Sequence, residues 1–215
     1  MALADYQTAH SPVPGEPMAR PGRHPRPHAD LAARNPIVRE WIEPLFRIHR
    51  LIHDPLHFGK SPSNRFDAPS GEYGVLYAGV DEHAAFIETL GQGTGIRAVT
   101  AGALRERGLT RLTPSKPLKL IDLASGGGLA RIGADARLIA GEHQVSREWS
   151  KALRAHPAAA DGILYPARHD PARLCCALFG HCEDFLVTDE LGSLGGPGLA
   201  RLAGSILDHY QFGLI

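Results

Sequence analysis

From residue 35 onward apolar residues fall in short clusters, and their spacing predicts several short strands interleaved with a few helices. Pro36-Ile-Val-Arg-Glu-Trp-Ile reads as a short helix, with Asn35 as N-cap and Pro36 at the first helical position. Leu45 to Leu51 alternates as a strand does, and Pro55 stops what precedes it. Residues 56–73, with Gly59, Pro62, Asn64, Pro69 and Gly71, form a loop-rich stretch. Val75-Leu-Tyr-Ala-Gly is a buried-strand run, and Asp81 is placed to cap a helix through Leu90.

Further strands are predicted at Ile96–Val99 and Leu118–Leu123, separated by a short polar helix Ala101–Arg107. A helix over Glu142–His156 ends at Pro157. Strands follow at 162–165, Cys175–Phe179 and Phe185–Val187, then a helix over Pro197–His209. Strands that follow one another without crossover helices indicate an α+β fold rather than a regular βαβ repeat.

Composition narrows the picture. Seven of the 17 prolines lie in the first 36 residues, so residues 1–35 are expected to be a flexible proline-rich arm, available to wrap a neighbouring subunit. The rest, 36–215, is long enough for one domain with a full core. Charge is balanced, 23 basic against 23 acidic side chains, which gives no basic footprint for nucleic acid or a membrane surface. No apolar run approaches the ~20 residues that span a bilayer, and no signal peptide is apparent. Three cysteines make no disulfide framework. The expectation is a cytoplasmic protein.

Several motifs point to chemistry that their context denies. Ser125-Gly-Gly-Gly-Leu-Ala-Arg-Ile-Gly follows a strand, but Arg131 occupies the third glycine position of the dinucleotide fingerprint and no βαβ unit surrounds it. It reads as a flexible loop. His49, His53 and His57 have a helical spacing suited to zinc, yet Pro55 interrupts any helix there. Cys175 and Cys176 would point to opposite faces of a strand. No metal site is expected.

Two arginines and one carboxylate stand out. Arg47 lies on the second predicted element, Arg65 in the turn-rich stretch, and Glu88 on the largely apolar helix, one turn after Ala84. Guanidinium groups suit pyrophosphate oxygens, and a carboxylate suits a ribose ring that gains positive charge, a combination that points toward NAD. An ordinary buried ion pair between Glu88 and either arginine fits the pattern equally, as does a carboxylate exposed at the helix rim.

The order of motifs resembles a known family. Phe46-Arg47, Asn64-Arg65-Phe66, Leu76-Tyr77 through Ala84-Ala85 to Glu88, and Leu120-Ile-Asp-Leu are similar to the RES-domain family. So are Trp149-Ser-Lys-Ala-Leu, Asp161-Gly-Ile-Leu-Tyr-Pro-Ala-Arg-His-Asp and Cys176-Ala-Leu-Phe. The resemblance implies an ADP-ribosyltransferase-like mixed β core with flanking helices, and the toxin of a bacterial toxin–antitoxin pair. It implies NAD as substrate, cleaved at the nicotinamide–ribose bond by phosphorolysis or hydrolysis, or used to ADP-ribosylate a host protein of nucleotide metabolism.

Carried over residue by residue, Arg47 and Glu88 are catalytic, and Arg47, Arg65, Tyr77, Glu88 and Arg168 bind NAD. For Tyr77 a core role is the alternative. The family's serine is matched by Ala167, which raises the expectation of a weakened or inactive enzyme. Ser146 and Ser150 lie on the preceding helix, away from the motif position. The implied partner is an antitoxin with a helix-turn-helix domain; a homo-oligomer is a further possibility.

Overall fold

The computed structural model describes residues 25–91 and 97–215. Its elements are β1 (Val38–Trp41), β2 (Leu45–Arg50), β3 (Val75–Gly79), α1 (Glu82–Leu90), β4 (Ala98–Val99), α2 (Ala101–Arg105), β5 (Arg107–Pro114) and β6 (Leu118–Asp122). After these come α3 (Gly128–Ile132), α4 (Arg137–Ala140), α5 (His143–Arg154), β7 (Gly162–Pro166), β8 (Leu174–Phe179), β9 (Leu186–Ser193), α6 (Ala200–Tyr210) and β10 (Gly213–Leu214). Eight strands share one sheet in the order β1-β6-β7-β8-β3-β2-β5-β9. Its neighbours are antiparallel except β6 and β7. A parallel pair needs a long crossover, which α3, α4 and α5 supply. The expected α+β class holds.

Central strands bury both faces. Along β8, Cys175, Ala177 and Phe179 join one core cluster, while Cys176 and Leu178 join the other. In β7, Ile163 and Tyr165 belong to the first and Leu164 to the second. Side chains alternate with a period of two, so a continuous apolar run marks a strand covered on both sides. The first cluster also takes in Phe86 of α1, Trp149 of α5 and Ile206 of α6. The cysteines divide between faces as the spacing predicts. All three thiols are free and buried, and burial raises their pKa, for Cys182 to about 12.

Four local expectations are corrected. The helix over Pro36–Ile42 is instead β1, an edge strand with Val38 opposite Ile121 and Trp41 opposite Leu118. Local start signals at Asn35 and Pro36 lose to pairing with β6. The helix expected through Arg107 stops at Arg105, and Arg107 opens β5, a strand absent from the sequence reading. The strand at Phe185–Val187 extends to Ser193 because it pairs with β5 along its length, through a bulge at Leu109/Thr110. The supposed loop Ser125–Gly133 contains α3, and its C-cap Gly133 is left-handed at φ 76°, a conformation that favours glycine. Of the strand expected at Ile96–Val99, Ile96 lies outside the described residues.

Residues 1–24 of the proline-rich arm also lie outside the described residues. Residues 25–35 pack on α5 and the turn after it. The Trp149 indole donates to the Pro25 carbonyl at 2.8 Å, and His156 Nε2 lies 3.2 Å from both the Leu31 and Arg34 carbonyls.

The last elements close over α1. β10 pairs in parallel with β4, and the Tyr210 hydroxyl donates to Asp170 Oδ2 at 2.8 Å. Arg173 in turn reaches Asp81 at 2.6 Å, and Asp81 caps α1 through the Ala84 amide at 2.7 Å. Helix α6 is thus tied through the β7–β8 loop to the start of α1. Among the described residues no helix is long and apolar enough to cross a membrane.

Candidate functional site

A cavity of about 470 Å³ opens between β2, β3, α1 and the end of β7, within the size range of small-molecule sites. Arg47, Arg65, Tyr77, Glu88 and Arg168 all line it. The structure therefore brings together every site residue expected from the sequence. A second, shallower depression, near Lys60, Tyr73 and Arg154, contains none of them.

Arg47 is held from the middle of β2. Its Nη1 donates to the Tyr77 carbonyl at 3.1 Å and its Nη2 to the His57 carbonyl at 3.3 Å, while its buried Nε has no partner among the described residues. It forms no ion pair there either, so its direct hydrogen-bond partners are neutral carbonyls, with Asp54 acting on it from farther off. Burial lowers its pKa to about 10, opposed by Asp54, and it stays charged at neutral pH. A half-buried cation whose direct partners are carbonyl dipoles is well suited to an anionic ligand.

Arg65 is 8% exposed and rests on α5, with Nη1 2.8 Å from the Gly141 carbonyl and 3.4 Å from Ser146 Oγ. Burial and then the charge of Arg168 lower its pKa; Tyr165, Glu88 and Tyr77 act the other way. The loop that carries Arg65 is built around Asp67, 2% exposed. Asp67 Oδ2 accepts from the Ser63 and Asn64 amides at 2.9 and 2.5 Å, and Oδ1 accepts from the Tyr77 hydroxyl at 2.9 Å. The same hydroxyl accepts from the Phe66 amide at 2.8 Å. The Tyr77 ring borders the cavity, but its hydroxyl holds the loop. Tyr77 was expected to bind NAD or to serve the core, and these bonds add a fastening of the Arg65 loop that neither reading contained.

Helix α5 grips the other side of that loop. His143 Nδ1 lies 3.3 Å from the Ser63 carbonyl, Arg147 Nε donates to Asn64 at 3.0 Å, and Ser150 Oγ donates to the Phe66 carbonyl at 2.6 Å. With Ser146 these residues stand at i, i+3, i+4 and i+7, one face of a helix. Sequence reading missed this role of α5, although four polar residues at helical spacing on a core helix were its visible sign. It also missed Asp67, whose signal was an acid ending a turn-rich Ser-Asn-Arg-Phe stretch.

Glu88 enters from α1. Its Oε1 accepts from the backbone amide of Arg168 at 2.5 Å, so the helix carboxylate and the segment after β7 are coupled. The approach of α1 to β3 is tight at Gly79, where a Cβ would lie 2.4 Å from the Ala85 amide. Arg168 is exposed at the mouth of the cavity. Ala167, the position matched to the family's serine, is 1% exposed, sits in the first core cluster and is not part of the cavity wall.

His143 also lines the cavity, and burial together with Arg65, Arg147 and Arg168 lowers its pKa. His49 lies on β2 with Nε2 3.0 Å from Thr110 Oγ1, and His53 stacks on His57 at 6.2 Å. Among the described residues no group of three or more His, Cys, Asp or Glu could hold a metal ion. The arrangement is three cations and one carboxylate around a partly enclosed space, fit to bind a polyanion and to stabilise positive charge beside it.

A family model described as the RES domain matches residues 44–193. Among solved structures, a chain of the crystal structure of the M. tuberculosis MbcT–MbcA toxin–antitoxin complex is similar, with a TM-score of 0.54 and 16% sequence identity. The match covers 83% of this chain and 97% of that one, and at such identity it speaks for the fold alone. Comparison with curated protein sequences finds no match.

Proposed function

The chain belongs to the RES-domain family, and from that premise we propose that it is the toxin of a toxin–antitoxin pair and cleaves NAD at the nicotinamide–ribose bond. The supporting observation is the convergence of Arg47, Arg65, Arg168 and Glu88 on one cavity inside the matched region. Arg47 and Arg65 would hold the pyrophosphate, whose oxygens suit the guanidinium fork. Arg168 adds positive charge at the mouth.

Bond cleavage follows from this placement. Nicotinamide leaves with the electron pair of the C1′–N bond, which neutralises its ring, so the leaving group needs no acid. Positive charge grows on the ribose, where the Glu88 carboxylate stabilises it and accepts a hydrogen bond from a ribose hydroxyl. A lone pair of water or phosphate then forms the new C1′–O bond, and any acceptor proton is released to solvent. Transfer to a protein is the competing outcome. Labelled NAD in a lysate separates them: free ADP-ribose or its phosphate supports depletion, and a single labelled protein band supports transfer.

The Ala167 position favours an active enzyme, since its side chain belongs to the core and its lack of a hydroxyl takes nothing from the cavity wall. The test is nicotinamide release from NAD by the purified protein. Glu88→Gln should lower it by at least about 100-fold, the scale of losing one electrostatic stabiliser. Unchanged release in that variant removes Glu88 from the chemistry. The partner is an antitoxin that fills the same cavity with a carboxylate-bearing segment. Growth arrest on expressing this gene alone, relieved by the neighbouring reading frame, is the expected cellular result.

A further inference from the structure

Tyrosines distinguish themselves here by what their hydroxyls touch. Tyr73 pairs with Ser150 Oγ at 3.0 Å, Tyr77 with Asp67 and the Phe66 amide, and Tyr210 with Asp170. The fourth described tyrosine, Tyr165, has no hydrogen-bond partner for its hydroxyl among the described residues, although it is only 5% exposed. Its ring is fixed by Phe66, centroids 5.0 Å apart at 60°, and the residue lines the cavity from the end of β7. Among the described residues Arg47 Nε is the buried side-chain polar atom left without a partner, so the Tyr165 hydroxyl is accessible from the cavity that the residue lines, where a ligand can supply its partner.

We infer that Tyr165 is a substrate-binding residue whose hydroxyl donates a hydrogen bond to the nicotinamide ribose. This rests on the NAD-cleaving reading of the same cavity. Tyr165 lines the same cavity as Glu88, Tyr77, Arg65 and Arg168, so the carboxylate and the cations are its neighbours in that wall. Burial, above all, raises its pKa well above the ordinary tyrosine value, so it stays a neutral donor throughout the physiological range. A ribose hydroxyl that gives its proton to Glu88 keeps lone pairs on oxygen, and Tyr165 can fill one of them. The chain from phenol to ribose hydroxyl to carboxylate then fixes the sugar at the bond that breaks, each link strengthening the next. A site that hydrogen-bonds a substrate hydroxyl also discriminates against sugars that lack it.

The test compares wild type and Tyr165→Phe, which keeps the ring against Phe66, on NAD and on NAD analogues lacking the 2′- or the 3′-hydroxyl of the nicotinamide ribose. For one analogue, the wild-type preference for NAD in kcat/KM should shrink about tenfold in the variant, the effect of one lost hydrogen bond. Equal losses on all three substrates, leaving every ratio unchanged, would mean a packing role only and overturn the assignment. A wild type that cleaves NAD beside an equally active Tyr165→Phe overturns it as well. A wild type that neither binds nor cleaves NAD sinks the parent reading, and this inference with it.

Discussion

Replacing Tyr77 by phenylalanine removes one oxygen atom and tests how the Arg65 loop is held. That oxygen donates to Asp67 at 2.9 Å and accepts from the Phe66 amide at 2.8 Å. The bond to the ionised carboxylate is worth about 1.5–3 kcal/mol, and the orphaned amide adds about 1 kcal/mol. The ring stays, so no cavity term enters. A loss near 3 kcal/mol should therefore appear in urea unfolding, and about 6–12 °C in Tm for a chain of this size. A looser loop moves Arg65 too, so KM for NAD should rise more than kcat falls. The reasoning is refuted if stability stays within about 0.5 kcal/mol while NAD binding alone is lost, because the hydroxyl would then be a ligand contact rather than a fastening.

Other outcomes follow from neighbouring contacts. Gly79→Ala should destabilise severely, since the new Cβ meets backbone at 2.4 Å and cannot be relieved by a rotamer change; thermal unfolding checks it. Tyr210→Phe removes a bond to the Asp170 carboxylate and should cost about 1.5–3 kcal/mol, read from urea titration. His143 has a folded pKa below its ordinary 6.5, so the unfolded chain takes up its proton first as pH falls. The stability it confers is full above about pH 6.5 and is lost as pH drops through the depressed folded value. His143→Gln should flatten that limb of the Tm-against-pH curve, and His83, also lowered, should account for part of what remains. Ala167→Ser should leave nicotinamide release within about threefold of wild type, because the position packs in the core; a large gain of activity would show that the hydroxyl matters.

The sequence showed most clearly those features that depend on neighbours in the chain. Asp81 followed by an apolar-faced helix, and the apolar runs of β3, β7 and β8, were readable because capping and two-sided burial leave local marks. Edge strands did so less, since β1 was read as a helix and only the start of β9 was read as a strand. The conformation of β1 and β9 comes from pairing with β6 and β5, far along the chain. Arg47, Arg65 and Glu88 were conspicuous as a chemical set, but an ordinary ion pair fitted them as well until the fold put all three on one cavity. Tyr165 stood inside a quoted motif without a role, since an unpaired hydroxyl is visible only once every other partner has been placed.

The closure by Tyr210 and β10 has a consequence for the order of events during synthesis. The cavity's lining comes from residues 46 to 175, yet the loop bearing Asp170 is tied to α6, and β4 finds its partner only in residues 213–214. A ribosome adding about 5–20 residues per second makes Arg47 roughly 10–30 s before Tyr210. Only after Arg168, roughly 2–8 s before Tyr210 at that rate, does the nascent chain possess all the arginines and the carboxylate, still without the elements that secure them. On the proposed function, cleavage of NAD would be delayed until α6 and β10 have emerged, which would leave time for the proposed antitoxin to meet the chain as it folds.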